Sequence, residues 1–228
     1  MNTKLRLRIF LYILSIFGCL QFIILTIIAM VFYRGGTYVD PSSEGYIFWH
    51  NYFSDLGRIV AHSGQINLVS FYLFTITLSI WGSTQILFYI VFPFLFKDKS
   101  RLKKLSGISS ILGIISGISY IGIAFTPSDV AGRFHDFFVV IGFSFVYFSI
   151  IICSYVIFNR DKYPNFYAII LAISAIILSV YFVLLFFTPT ANTPEGLSIY
   201  ALGQKFMIYT LLICNIIQGY GALKQLSS

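Results

Sequence analysis

The sequence predicts an all-α polytopic membrane protein with six transmembrane helices and both termini in the cytoplasm. Three observations carry that prediction. The 228 residues are 58% hydrophobic and only 10% charged, with a mean hydropathy of +0.87, whereas soluble domains are about 45–50% apolar and about 25% charged. Six apolar runs each approach the roughly 20 residues needed to cross the hydrocarbon core of a bilayer. Basic residues alternate between the two sides of those runs, which is the pattern that orients multi-pass chains.

The spans fall at about 9–33, 68–96, 105–125, 137–158, 166–187 and 206–222, in a single domain covering 1–228. The first is too long for the apolar region of a cleaved signal, and no small-x-small site precedes Arg34, so it is expected to stay as a span. The second needs tilt, or an early end at Pro93. The third places Ser106, Ser110, Gly113 and Gly117 on one helical face and strips that face of bulk, so a neighbouring helix or a separate membrane-protein partner can approach closely. Spans three and five close on similar punctuation, Phe125-Thr126-Pro127-Ser128 and Phe187-Thr188-Pro189-Thr190, with a proline just past the helix end. In the sixth, Asn215 and Gln218 lie one turn apart and are expected to hydrogen-bond across to another helix, while Lys205 is expected to snorkel to the outer surface. No run alternates in hydropathy, which excludes a transmembrane barrel.

Orientation follows from eleven of the fifteen Lys and Arg: Lys4, Arg6, Arg8, Lys97, Lys99, Arg101, Lys103, Lys104, Arg160, Lys162 and Lys224 share one side. That side is cytoplasmic, and the chain belongs in the cell membrane. The net charge of +7 therefore reports topology; no nucleic-acid partner is implied. Cys19, Cys153 and Cys214 all lie inside spans and read as packing residues, so no disulfide-stapled external domain is expected. The longest connection, 34–67, is external and rich in aromatic residues, and Tyr46, Trp49 and Tyr52 suit an interfacial belt.

Chemistry concentrates on the external side, which holds all three histidines. On a helix beginning near Ser54, the residues Asp55, Arg58 and His62 would share a face. Span four starts with Arg133, His135 and Asp136, which close on the same place, and Asp129 sits near that helix N-terminus, where a carboxylate suits the helix dipole. The predicted pocket is therefore ringed by His50, Asp55, Arg58, His62, Asp129, Arg133, His135 and Asp136. Arg58, Arg133 and Lys205 at headgroup level suit a lipid phosphate. His62, His135 and Asp55 are the candidate ligands should the pocket hold zinc, with an open position for an activated water. The bland alternative is ordinary interface pairing of Asp55 with Arg58 and Asp136 with Arg133. No HExxH or CxxC spacing, nucleotide loop, nucleophile elbow or mid-span acid is present, and a proton-coupled transporter lacks its usual parts.

Asn51-Tyr52-Phe53-Ser54-Asp55-Leu56-Gly57-Arg58, followed by Gly64, Asn67 and Ser70, resembles a prokaryotic six-span membrane protein family of unknown function. So does Thr126-Pro127-Ser128-Asp129 with His135, which is like that family's proline–acid–histidine loop. More remotely, Ser54-Asp55-Leu56-Gly57 is similar to the first-loop signature of the damage-regulated autophagy modulator superfamily. The resemblance implies matching topology and a role with membrane lipids, and it transfers no catalytic residue. The three histidines with Ser54 and Asp55 also resemble, in residue types, the seven-span hydrolase superfamily that contains alkaline ceramidases. This chain lacks the seventh span and the paired late histidines of that superfamily.

The resulting expectation is a membrane protein whose outward-facing polar pocket binds or organises lipid headgroups. A metal-dependent hydrolase acting on lipid is the alternative, and a structural accessory subunit that docks through the Gly113/Gly117 face is the second.

Overall fold

Hydrocarbon offers no water to satisfy backbone amides and carbonyls, so each long apolar run must close its hydrogen bonds internally as a helix. The computed structural model of the protein describes residues 3–96, 99–187 and 191–227. It contains six long helices: α1 (Thr3–Phe32), α2 (Leu68–Val91), α3 (Ser100–Ala124), α4 (Ser128–Phe158), α5 (Asn165–Phe187) and α6 (Pro194–Ser227). All six are long and apolar enough to cross a membrane. Among the described residues there is no strand, only an isolated bridge between Val60 and Ile66. Lys97 of the basic turn and the Thr188-Pro189-Thr190 half of the repeated punctuation lie outside the described residues.

Several helix ends differ from the apolar runs, for physical reasons. The α-helical part of the second run stops at Val91, and Phe92–Phe96 tightens into a 3₁₀ turn around Pro93, as a residue without an amide proton requires. Helix α4 begins at Ser128 and α6 at Pro194, both well ahead of their runs. Asp129, Arg133 and Glu195 lower hydropathy there, yet a helix can extend past the hydrocarbon into the interface; α4 does so with a kink at Ala131, whose backbone is non-helical (φ −128°, ψ 37°). The third run ends as its punctuation predicts. The Thr126 hydroxyl donates back to the Gly122 carbonyl at 2.8 Å, and Pro127 opens α4.

Each helix packs on its neighbour in sequence, and α6 returns to α1, so the bundle is a closed ring in chain order. The α2–α3 seam is held at backbone distance by the small-residue face. A Cβ on Gly113 would lie 2.2 Å from the Tyr89 ring, and one on Gly117 would lie 2.8 Å from the Gly82 carbonyl oxygen. Both glycines are thus buried against α2 of the same chain. On the other side of α3, Ser109 and Ser149 exchange hydroxyl-to-carbonyl bonds of 2.9 and 2.8 Å with α4. Gln218 donates to the Tyr167 carbonyl of α5 at 2.9 Å, the cross-helix bond expected of it. The centre of the ring is aromatic: Trp81 stacks on Tyr120 with centroids 4.5 Å apart, and Phe22 meets the Trp81 ring at 5.1 Å. The three cysteines are buried and unpaired.

Candidate functional site

Residues 33–67 fold into a cap over one end of the bundle. Apolar burial holds it in place: Phe53 and Leu56 are fully buried, and the Phe53 ring packs edge-on against Phe22 of α1 and Tyr209 of α6, with centroids 5.7 and 5.5 Å away. Polar bonds fix its register. The Phe53 amide donates to Gln204 Oε1 at 2.8 Å. The Asp129 carboxylate, at the start of α4, accepts from the Ile59 and Val60 amides at 3.2 and 2.9 Å. The Asn67 side chain donates to the Arg58 carbonyl at 3.0 Å.

Asp55 is the hub of the cap. It lies in a 3₁₀ turn, Phe53–Gly57, and its carboxylate is buried. One oxygen accepts from the Tyr52 amide at 2.8 Å and the Asn51 side-chain amide at 3.1 Å, and the other accepts from His62 Nε2 at 3.0 Å. Asn51 carries the network onward: it donates to the Gly36 carbonyl at 2.9 Å and accepts from the Ile47 amide at 2.9 Å. Its own carbonyl accepts from the Tyr46 hydroxyl and from Lys205 Nζ. The ammonium of Lys205 is fully buried, within 5.0–5.7 Å of the ring centres of Phe48, Tyr46 and Phe53, where the negative faces of the rings stabilise a cation. Burial first, and the Asp55 charge second, raise the Tyr46 and Tyr52 hydroxyls well above the ordinary tyrosine range, so both stay protonated donors.

This geometry revises several sequence expectations. No helix runs from Ser54 to His62. The 3₁₀ turn ends at Gly57, and Arg58 has an extended backbone, because the cap doubles back through a tight turn in which Gly64 has φ +81°. Asp55 and His62 meet through that fold-back and not along a helical face. Arg58 does not pair with Asp55; its Nε donates to the Val60 carbonyl at 3.1 Å. Arg133 and Asp136 are both exposed and form no ion pair with each other among the described residues. His50 lies in the turn after Ile47, and no side-chain hydrogen bond of its imidazole falls among the described residues. His135 is buried, and its Nδ1 meets the Thr126 carbonyl at 2.8 Å. Because a carbonyl only accepts, Nδ1 carries the proton. Lys205 does not snorkel outward; it turns into the cap. Among the described residues no group of three or more His, Cys, Asp or Glu is placed to hold a metal ion.

Asn51 and Gln204 are the functional-looking residues that the sequence alone did not place in the pocket, and Lys205, expected as an outward-facing headgroup cation, joins them inside the cap. Lys205 had a signal, since an ionisable residue inside an apolar helix is seldom idle. Asn51 opens the quoted motif, yet nothing local shows that it joins Asp55 to α6.

A second feature of the cap is a polar groove of about 490 Å³, open to solvent and bordered by Arg34, Ser42, Ser43, Glu44, Ser63 and Gln65. Its wall is built by a turn at 40–43, where the Ser42 hydroxyl and amide bond the Asp40 carboxylate at 2.6 and 3.0 Å and hold its pKa below the usual carboxylate range. The floor is fixed where Ser63 donates to the Arg34 carbonyl at 2.7 Å. Gly36 makes that contact possible: it has φ +83°, and a Cβ there would lie 2.2 Å from the Ser63 amide nitrogen. Arg34 and Glu44 are both exposed and available to a ligand. Comparison with family models, curated proteins and solved structures gives no match to this chain.

Proposed function

We propose that this chain is a multi-pass protein of the cell membrane, with both termini cytoplasmic, whose external cap binds lipid headgroups in the Arg34–Glu44 groove. The observation that carries the reading is a solvent-open groove with one cation, one carboxylate and several hydroxyls, located where α1 leaves its apolar span. The Arg34 guanidinium there suits a phosphate, and the Glu44 carboxylate bordering the same groove suits an ammonium, so the complementary ligand is a zwitterionic headgroup of the phosphoethanolamine type. The Asp55 network serves this site as scaffold, fixing the loop that carries Ser63 and Arg34 against the bundle. The sequence resemblance to a lipid-associated superfamily points the same way.

The test is native mass spectrometry of protein exchanged into micelles doped with phosphatidylethanolamine or phosphatidylglycerol. Wild type should retain phosphatidylethanolamine preferentially, and Arg34→Gln should weaken retention about tenfold, the equivalent of one charge-assisted hydrogen bond of about 1.5 kcal/mol. Glu44→Gln should abolish the preference between the two lipids. Equal retention by wild type and Arg34→Gln rejects the reading.

A further inference from the structure

An apolar recess lies away from the cap groove, between α4 and α5. It is a groove of about 420 Å³, bordered by Val140, Phe143, Ser144, Tyr147 and Phe148 of α4 and by Tyr181 of α5, with Gln204 of α6 at its edge. That volume falls in the range of about 300–1,000 Å³ typical of ligand sites. From Val139 to Phe148 the groove follows α4 for about 13 Å at the helical rise. A 3.0 Å hydrogen bond between the Tyr147 hydroxyl and Ser179 joins its two walls at the end away from the cap.

At the cap end the groove changes character. Val139, Phe143 and Gln204 also border a smaller interior cavity of about 30 Å³, whose lining includes Ser54, Trp81 and His135; it has room for a group the size of a water molecule. Gln204 commits its carbonyl to the Phe53 amide, and its two amide N–H groups have no partner among the described residues. His135 has used Nδ1 on Thr126. The recess is therefore apolar along its length and carries hydrogen-bonding capacity at the end nearest the interface. A membrane lipid has the same polarity along its axis: a carbonyl linkage at the interface, then hydrocarbon running inward.

We propose that the α4–α5 groove is a lipid site that takes one acyl chain of a membrane phospholipid, with the linkage carbonyl accepting a hydrogen bond from the Gln204 amide. Its walls belong to two membrane-spanning helices, so hydrocarbon is the medium that meets it, and Gln204 selects the chain's carbonyl end. The site is independent of the cap groove.

Trp81 borders the interior cavity and supplies the readout. In a Trp49→Phe background it is the only tryptophan, since the chain has two. The protein is reconstituted in vesicles of phosphatidylcholine brominated along one acyl chain. Trp81 emission should fall relative to unbrominated vesicles, and Ser144→Phe or Val140→Phe, each filling the groove, should restore most of it. Val140 is 62% exposed, so that variant is compatible with folding even if Ser144→Phe is not. Gln204→Glu keeps an acceptor for Phe53 but removes the donors, and should weaken the quenching. Arg34→Gln should leave it unchanged. Quenching that is absent in the parent, or equal in open and filled grooves, overturns the proposal. Quenching lost with Arg34→Gln but kept with a filled groove assigns the lipid to the cap and overturns it as well.

Discussion

Asp55 accepts three hydrogen bonds while buried, so Asp55→Ala would leave the Tyr52 amide and one of the two Asn51 side-chain N–H groups without an acceptor, the other keeping the Gly36 carbonyl. At about 1–3 kcal/mol for each unsatisfied buried donor, the expected outcome is a clear fall in melting temperature in detergent, with loosening confined first to the cap. Asp55→Asn is expected to cost less, because an amide oxygen still accepts two of the three bonds. Lys205 should behave oppositely. Its ammonium is buried and bonds only carbonyls, and the Asn51 carbonyl keeps the Tyr46 hydroxyl as a donor at 3.1 Å. Lys205→Met removes a desolvated charge without stranding an opposite one, so thermal stability should hold or rise. A fall comparable to that of Asp55→Ala would show that the cation is needed to balance Asp55.

At the scale of elements, the α2–α3 seam makes the sharpest statement. A Cβ on Gly117 would sit 2.7 Å from Ile86 Cγ1 and 2.8 Å from the Gly82 carbonyl oxygen, whereas one on Gly107 meets nothing within 4 Å. Gly117→Leu should therefore force the helices apart and destabilise by about 1–3 kcal/mol, while Gly107→Leu leaves the melting curve in place. The pair is a controlled comparison, because both glycines sit in α3 and receive the same side chain. The small-residue face was legible in the sequence from its spacing alone. That α2 covers it was not, because spacing reports only that something can come close, and its occupant depends on which helix the ring places alongside. The cap shows the limit more strongly. Asp55 and His62, seven positions apart, suggested a shared helical face, and they do meet. The route is a 3₁₀ turn and a glycine-dependent fold-back, which hydrophobic periodicity does not encode.

For the whole molecule, the basic residues near the span ends predict which side of the membrane each connection occupies. Single cysteines at Ser42 and Ser100, both exposed, in a background with Cys19, Cys153 and Cys214 replaced, are expected to label oppositely with an impermeant thiol reagent in intact cells. Ser42 should react and Ser100 should not. The reverse pattern would put the cap, with Arg34 and Glu44, in the cytoplasm. The ring order of the bundle brings α6 back to α1 and places Gln204 and Lys205 beneath the cap, so residues some 150 positions apart share one hydrogen-bond network.

The sequence by itself determined the number and nature of the spans, Pro93 as a place where the second could end, and the small face of α3. Each follows from the cost of exposing backbone polar groups to hydrocarbon, from the missing amide proton of proline, or from side-chain volume at helical spacing. Only the tertiary structure decided that Lys205 turns inward, that Arg58 and His50 stand apart from Asp55, and that Arg34 and Glu44 border an open groove. Those outcomes depend on how a long polar connection folds back over the bundle, where no periodicity constrains the chain and the pairing of buried polar groups across distant segments sets the geometry.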